Sequence, residues 1–187
     1  MKRILFNWRS LFLIFGLLLF SLNSNAQNTK LTRKEKKALM ETQLNQNFYI
    51  LDSLLNAKSF VLEADFLQDK YGVRVPVTSN LNFIKVDNPD GVLQTGSDNG
   101  YGYNGVGGVT ASGRLGSWKL MKDTKDKTYT LSFNLMTQIG HYDVLMTVNS
   151  DNYATATITG LGSGQLTWVG HLATVNNASI FKGQNTI

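Results

Sequence analysis

The sequence predicts a mostly β domain, an antiparallel β-sandwich or partly closed β-barrel of about seven to nine strands with one N-terminal helix. Three observations predict it. A helical apolar stripe is confined to the start of the chain, side chains alternate with period two from residue 59 onward, and the later segments are joined by two to six residues, too few for crossover helices. Each later segment also keeps one polar face, which suits an antiparallel sheet better than a parallel one buried on both sides.

The first 26 residues read as a secretory leader. Lys2, Arg3 and Arg9 precede an apolar run from Leu11 to Phe20, and Ser24 and Ala26 are the small side chains expected before a cleavage point. The run is too short to span a bilayer, which needs roughly 20 apolar residues. Cleavage near Ala26 is therefore expected, with Gln27 as the new N-terminus, the periplasm or the medium as destination, and no transmembrane segment in the processed chain.

Loss of the leader leaves 15 basic against 13 acidic residues. That balance is too weak for a nucleic-acid partner, which calls for a dense basic face. Five of the basic residues, Lys30, Arg33, Lys34, Lys36 and Lys37, crowd the start of the processed chain and read as a solvated helix start. Cysteine is absent, which removes disulfides, thiolate metal sites and a cysteine nucleophile. Stability must then come from an apolar core, within reach for about 160 residues.

A helix is predicted over 33–57. Thr32 and Glu35 have the capping-box spacing, and Met40, Leu44, Phe48, Leu51 and Leu55 fall on one face. Phe60, Leu62, Ala64 and Phe66 then alternate with Ser59, Val61, Glu63 and Asp65, as in a half-buried strand. Short strands follow near 73–77 and 81–86, a turn at Asp87-Asn88-Pro89-Asp90-Gly91, and a weaker strand over 91–95. The clearest alternation sets Tyr129, Leu131, Phe133 and Leu135 against Thr128, Thr130, Ser132 and Asn134, and three strands at 142–148, 153–159 and 166–172 complete a meander. The chain thus divides into a leader over 1–26, a basic segment and helix over 27–57, a β domain over 58–175 that forms one domain with the helix, and a tail over 176–187.

The order of a helix, Ala57-Lys58-Ser59-Phe60-Val61-Leu62-Glu63-Ala64, a Gly-rich middle, Tyr153-Ala154-Thr155-Ala156 and Leu166-Thr167-Trp168-Val169-Gly170 resembles an uncharacterised family of secreted Bacteroidetes proteins called domain of unknown function four-two-five-one. The likeness covers about residues 32–172. Where that family tends to carry Leu-Pro-Tyr followed by glycine, this chain has Leu93-Gln94-Thr95-Gly96 and an enlarged polar loop. The resemblance implies a location and a domain boundary, not a reaction.

Candidate chemistry is sparse. Gly100-Tyr101-Gly102-Tyr103-Asn104-Gly105 matches a dinucleotide fingerprint in letters, but no helix can start at Val106-Gly107-Gly108-Val109 to meet a phosphate. The same loop, 96–113, carries Tyr101 and Tyr103, whose rings on a Gly-rich scaffold could stack on a sugar or anchor a protein partner. His141 and Asp143 share a strand face, with Ser132 or Ser163 conceivable as a nucleophile, yet no Gly-x-Ser-x-Gly elbow is present. Asp87, Asp90 and Asp98 lack a calcium-loop spacing, and two distant histidines make no zinc signature. Trp118, Trp168, Tyr142 and Phe133 either fill the core or line a cavity, since an eight-stranded barrel has room for one small apolar ligand. The expectation is an exported, non-catalytic envelope protein without cofactor or metal. Its partner would be a small lipophilic or glycan-like ligand, held by the sheet interior or the tyrosine loop, or a protein. The alternatives are a structural or assembly protein of the envelope and a hydrolase using His141 and Asp143.

Overall fold

The computed structural model describes residues 31–98, 100, 102–161 and 164–186. The leader and its cleavage point lie outside these residues. Two compact units divide the chain, residues 1–38 and residues 39–187. Helix α1, Arg33–Ala57, begins in the first. There the Thr32 amide donates to Glu35 Oε2 at 2.7 Å and the Glu35 amide to Thr32 Oγ1 at 3.3 Å, the reciprocal pair a capping box requires. These bonds favour the ionised carboxylate, so the Glu35 carboxyl titrates below its ordinary value.

In the second unit the predicted helical stripe is buried only toward its end. Phe48, Leu51 and Leu55 enter the core, while Met40 is exposed. Each buried side chain contributes about 1.5–3 kcal/mol of apolar burial.

Nine strands follow among the described residues. They are β1 (Ser59–Asp69), β2 (Arg74–Pro76), β3 (Phe83–Asp87), β4 (Asp90–Gln94), β5 (Thr110–Asp123), β6 (Thr128–Thr137), β7 (His141–Asn149), β8 (Tyr153–Leu161) and β9 (Gly164–Ala173). All neighbours pair antiparallel, and β1 pairs with both β3 and β9. The sheet therefore closes into an eight-stranded barrel, with β2 an extra strand on the second half of β1.

Two bulges shape the closure. In β1 the register shifts between Ala64 and Phe66, so the two-residue period breaks at Asp65. Phe66 thereby turns outward, where it is 36% exposed, and Leu67 packs on the core instead. In β5 the shift falls between Gly116 and Lys119, where Ser117 takes a left-handed φ of 46°.

The interior is one apolar cluster drawn from every barrel strand and from α1. Phe60, Leu62, Ile84, Leu131, Leu135, Met146 and Ile158 are fully buried in it. At Gly170 and Gly113 an added methyl would overlap the carbonyls of Glu63 and Met136, so glycine lets these strands approach. A second, smaller cluster lies outside the barrel. Val61, Phe83 and Val92 point outward and are covered by Val175, Ala178 and Ile180 of the segment after β9. That segment, 174–186, runs as a strap tied by Phe181 N–H to Asn80 O, Gln184 N–H to Asn104 O and Thr186 N–H to Thr110 O.

The two barrel ends differ. At the end holding the start of β1 and of β6, Phe48 stacks on Tyr129 at 4.7 Å and the Tyr129 hydroxyl donates to Phe48 O at 2.9 Å. Lys122 Nζ lies 2.9 Å from Asp52 Oδ1 and caps the Phe48 ring. The stretch of α1 from Phe48 to Leu55, within the second unit, plugs this end. At the opposite end, where β4 and β8 finish and β5, β7 and β9 begin, no helix stands among the described residues.

Candidate functional site, the barrel mouth

The unplugged end holds an apolar hollow of about 220 Å³. Leu93, Ala111, Ile158 and Leu166 supply aliphatic walls, and Tyr142 and Trp168 supply aromatic ones. Five strands contribute, because at this end every second residue of β4, β5, β7, β8 and β9 points to the axis. Thr95 and Val109, the first residues past β4 and before β5, form part of the rim and pair through Thr95 N–H to Val109 O at 2.9 Å.

The polar groups lining the hollow already have partners. Gln94 points away from the axis and uses both amide hydrogens, on Leu81 O at 3.1 Å and Phe181 O at 2.8 Å. Its oxygen accepts from Thr110 Oγ1 at 2.9 Å and from Gly183 N–H at 2.8 Å. Trp168 Nε1 reaches Gln94 O at 3.4 Å, and Thr95 Oγ1 accepts from Val109 N–H at 3.3 Å. Burial pushes the Tyr142 phenol up, a shift that hydrogen bonding with Thr137 opposes, so it stays neutral at physiological pH. What the hollow offers an entering group is apolar surface.

Of the aromatic residues singled out by alternation, the fold brings Tyr142 and Trp168 to the mouth. Phe133 is buried in the core instead, and Trp118, half-buried beneath Lys58, stacks on it at 5.4 Å. The aliphatic residues of the mouth, and Ala111 above all, carry no signal in the chain that separates them from ordinary core.

The Gly-rich loop rises from the rim. Tyr101 lies outside the described residues. Tyr103 is 88% exposed and lines a shallow surface depression with Gly100, Gly102 and Gly105 rather than the mouth. The loop is built on Asn104, which is buried and fully bonded. Its amide donates to Thr95 O and Thr110 Oγ1, both at 3.0 Å, and its oxygen accepts from Val106 and Gly108 N–H. Glycine is required at 102 and 108, where a methyl would overlap the backbone of Gly107 and Gly108 or of Thr95. Of the fingerprint glycines, Gly102 thus meets a close backbone approach, while Gly100 and Gly105 take left-handed φ of 40° and 75°, so their spacing serves the tight fold of the loop.

His141 and Asp143 sit exposed on the outer face of β7 and make no hydrogen bond or ion pair with each other. Asp143 and Ser132 both line a depression that Phe133, Val144 and Leu145 also line, and His141 is not among its lining residues. The histidine that does meet a carboxylate is His171, whose Nδ1 lies 2.9 Å from Asp65 Oδ2 across the β1–β9 pairing, with the Tyr153 ring edge-on to it. Both groups are exposed. Among the described residues no helix is long and apolar enough to cross a membrane.

A family profile described as "Domain of unknown function (DUF4251)" matches residues 42–172. A solved crystal structure of a protein of that family from Bacteroides eggerthii is 32% identical, with a TM-score of 0.61, over 72% of this chain and 92% of that one. No curated protein is significantly similar to the chain.

Proposed function

The chain belongs to the DUF4251 family of domains of unknown function, and we propose that it is an exported, non-catalytic envelope protein that binds a small lipophilic ligand in the barrel mouth. The observation that carries the reading is the hollow beside Ala111, walled by aliphatic and aromatic groups whose polar neighbours are already bonded. A glycan would need several free donors and acceptors, because a buried hydroxyl without a partner costs about 1–3 kcal/mol. An alkyl group needs none. The leader over 1–26 supports export to the periplasm or the medium, after cleavage that leaves Gln27 first.

Native mass spectrometry of the processed protein, purified from its natural host, tests the binding. A hydrophobic molecule should co-purify, and its repeated absence counts against the reading. N-terminal sequencing of the protein in each cell fraction tests the export, since an intact Met1 in the cytoplasm removes it. A second reading, contact with another envelope protein, draws on Tyr103, which a bonded Asn104 scaffold holds out in solvent. Crosslinking in cells with Tyr103→Ala separates the two, because partners that persist unchanged take that side chain out of the contact.

A further inference from the structure

We infer that the β1–β2 hairpin docks the protein on the surface of an anionic lipid bilayer, with its tip immersed among the headgroups. The inference concerns a surface outside the hollow and does not rest on the lipophile reading, so either can fail alone.

The hairpin is not needed to close the barrel. Eight strands close without β2, which pairs with β1 alone and over three residues. Its turn is nevertheless built. Asp69 Oδ1 accepts from Tyr71 N–H at 2.9 Å and from Val73 N–H at 2.8 Å, and Gly72 N–H donates to Asp69 O at 3.1 Å with Gly72 at a left-handed φ of 87°. What this fixed turn presents is apolar. Tyr71 is 80% and Val73 60% exposed, and Phe66 and Val75 are exposed beside them.

The kind of occupant follows from where these side chains lie. Leu67 packs on the core and pairs with Val75, so Val75, and Val73 two residues before it, belong to the inner face. Phe66 and its partner Pro76 belong to the outer face. A folded protein partner covers one face of a hairpin. Here both faces and the tip are apolar, and a medium that surrounds the tip covers all three at once.

Charge selects the medium. Lys70 Nζ lies 5.1 Å from the centre of the Tyr71 ring, and the Arg74 guanidinium 5.6 Å from that of Phe66. Neither cation forms an ion pair among the described residues, and the carboxylate of the turn, Asp69, is occupied by the two amides. A ring beside a cation suits headgroup depth, where tyrosine sits at the water boundary and lysine or arginine reaches phosphate. A second copy meeting through the same hairpin would bring four cations together, which disfavours it. No strand pairs with β2 on its other side, so its edge groups need water and the tip goes no deeper than the headgroups. The tip leaves β1 at Asp69, opposite Leu166 of the hollow wall, so a docked bilayer meets the mouth end of the barrel.

The test is co-sedimentation of the processed chain with vesicles of phosphatidylcholine alone or with phosphatidylglycerol added. The chain should partition to the anionic vesicles. Each cation at an anionic surface is worth about fivefold in binding, so Lys70→Gln with Arg74→Gln should weaken partition about thirtyfold. Tyr71→Ser with Val73→Ser should abolish it, whereas Leu145→Ser, at a similarly exposed apolar residue of β7, should leave it unchanged. The basic helix start also attracts anionic lipid, so the place of contact is read separately. The chain has no cysteine, and Phe66→Cys and Val73→Cys can each carry a single environment-sensitive dye. Emission from both labels should shift to the blue on vesicle binding, because they lie on opposite faces. Failure to sediment overturns the inference, as do equal partition to neutral vesicles, partition unchanged in the Tyr71 and Val73 double variant, and a shift at one label only. Absence from vesicles, together with a cellular crosslink that the double variant loses, assigns the hairpin to a protein partner instead.

Discussion

Gln94 ties three parts of the fold together, and its replacement by leucine gives a sharp expectation. The residue is fully buried, and its amide makes four hydrogen bonds, to Leu81 O and Phe181 O and from Thr110 Oγ1 and Gly183 N–H. Leucine nearly matches the volume and makes none of the four. Phe181 and Gly183 belong to the strap, and Phe181 is 60% exposed, so their polar groups can turn to water. The Thr110 hydroxyl, fully buried, has no such route, and Leu81 O, on a half-buried residue, also loses its donor; each buried orphan costs about 1–3 kcal/mol. After the gain from burying an apolar side chain, the net loss is about 3 kcal/mol. For a domain of this size that lowers Tm by about 6–12 °C. Amide exchange should show where the loss falls, with Gly183 and Thr186 losing protection before the barrel strands do. A Tm within about 2 °C of the parent, together with unchanged exchange at both amides, refutes the reasoning.

Other perturbations separate the two barrel ends. Phe48→Ala removes the ring stacked on Tyr129 and should cost about 3–5 kcal/mol, whereas Tyr49→Ala, exposed one residue on, should stay within about 0.5 kcal/mol, both read from denaturant midpoints. The Asp52 carboxyl is held below its ordinary value first by its hydrogen bond with Lys122, against some desolvation, so this contribution is present above the unfolded value of about 4 and is lost as pH falls through the lower folded value. With both side chains about one-third exposed, the pair is worth only about 0.5 kcal/mol, and Asp52→Asn should therefore lie slightly below the parent at pH 7 and converge with it by about pH 3. Ala111→Leu fills part of the mouth and should raise the Tm of the ligand-free protein by about 2–4 °C; a fall in Tm would mean that the wall is already close-packed.

Much of the fold was legible because period and capping are local properties. The helix over 33–57 follows from Thr32, Glu35 and the spacing of its apolar residues, and β6 through β9 follow from alternation that no bulge interrupts before residue 158. Strand β5 was not legible. Gly113 and Gly116 sit where packing faces would show, and the bulge before Lys119 shifts the faces between Leu115 and Trp118. The same cause moved Phe66 to the outside, since a register shift exchanges the two faces and nothing in Asp65 announces it. Met40 stayed in solvent because helical spacing marks a face without stating how much of it another element covers. Closure of the sheet depends on β1 pairing with β9 about a hundred residues away, a relation that alternation does not encode.

The mouth was legible only in its aromatics, for a related reason. Alternation tells which side chains face the axis, and it placed Tyr142 and Trp168 there. A hollow, however, is a deficit of volume summed over Leu93, Ala111, Ile158 and Leu166 on four separate strands. Such a deficit carries a thermodynamic weight. At about 24 cal/mol per Å³, an enclosed apolar void of 220 Å³ costs up to about 5 kcal/mol. An open mouth that admits water costs less, yet even part of that sum is large beside a total stability of about 5–15 kcal/mol. The plugged end shows that this chain fills a barrel end when it has the side chains to do so, with Phe48, Leu51 and Leu55 against Tyr129. The opposite end keeps an alanine at 111 where a leucine would occupy the space, so the stabilisation forgone there is what a lipophilic ligand entering the mouth would restore.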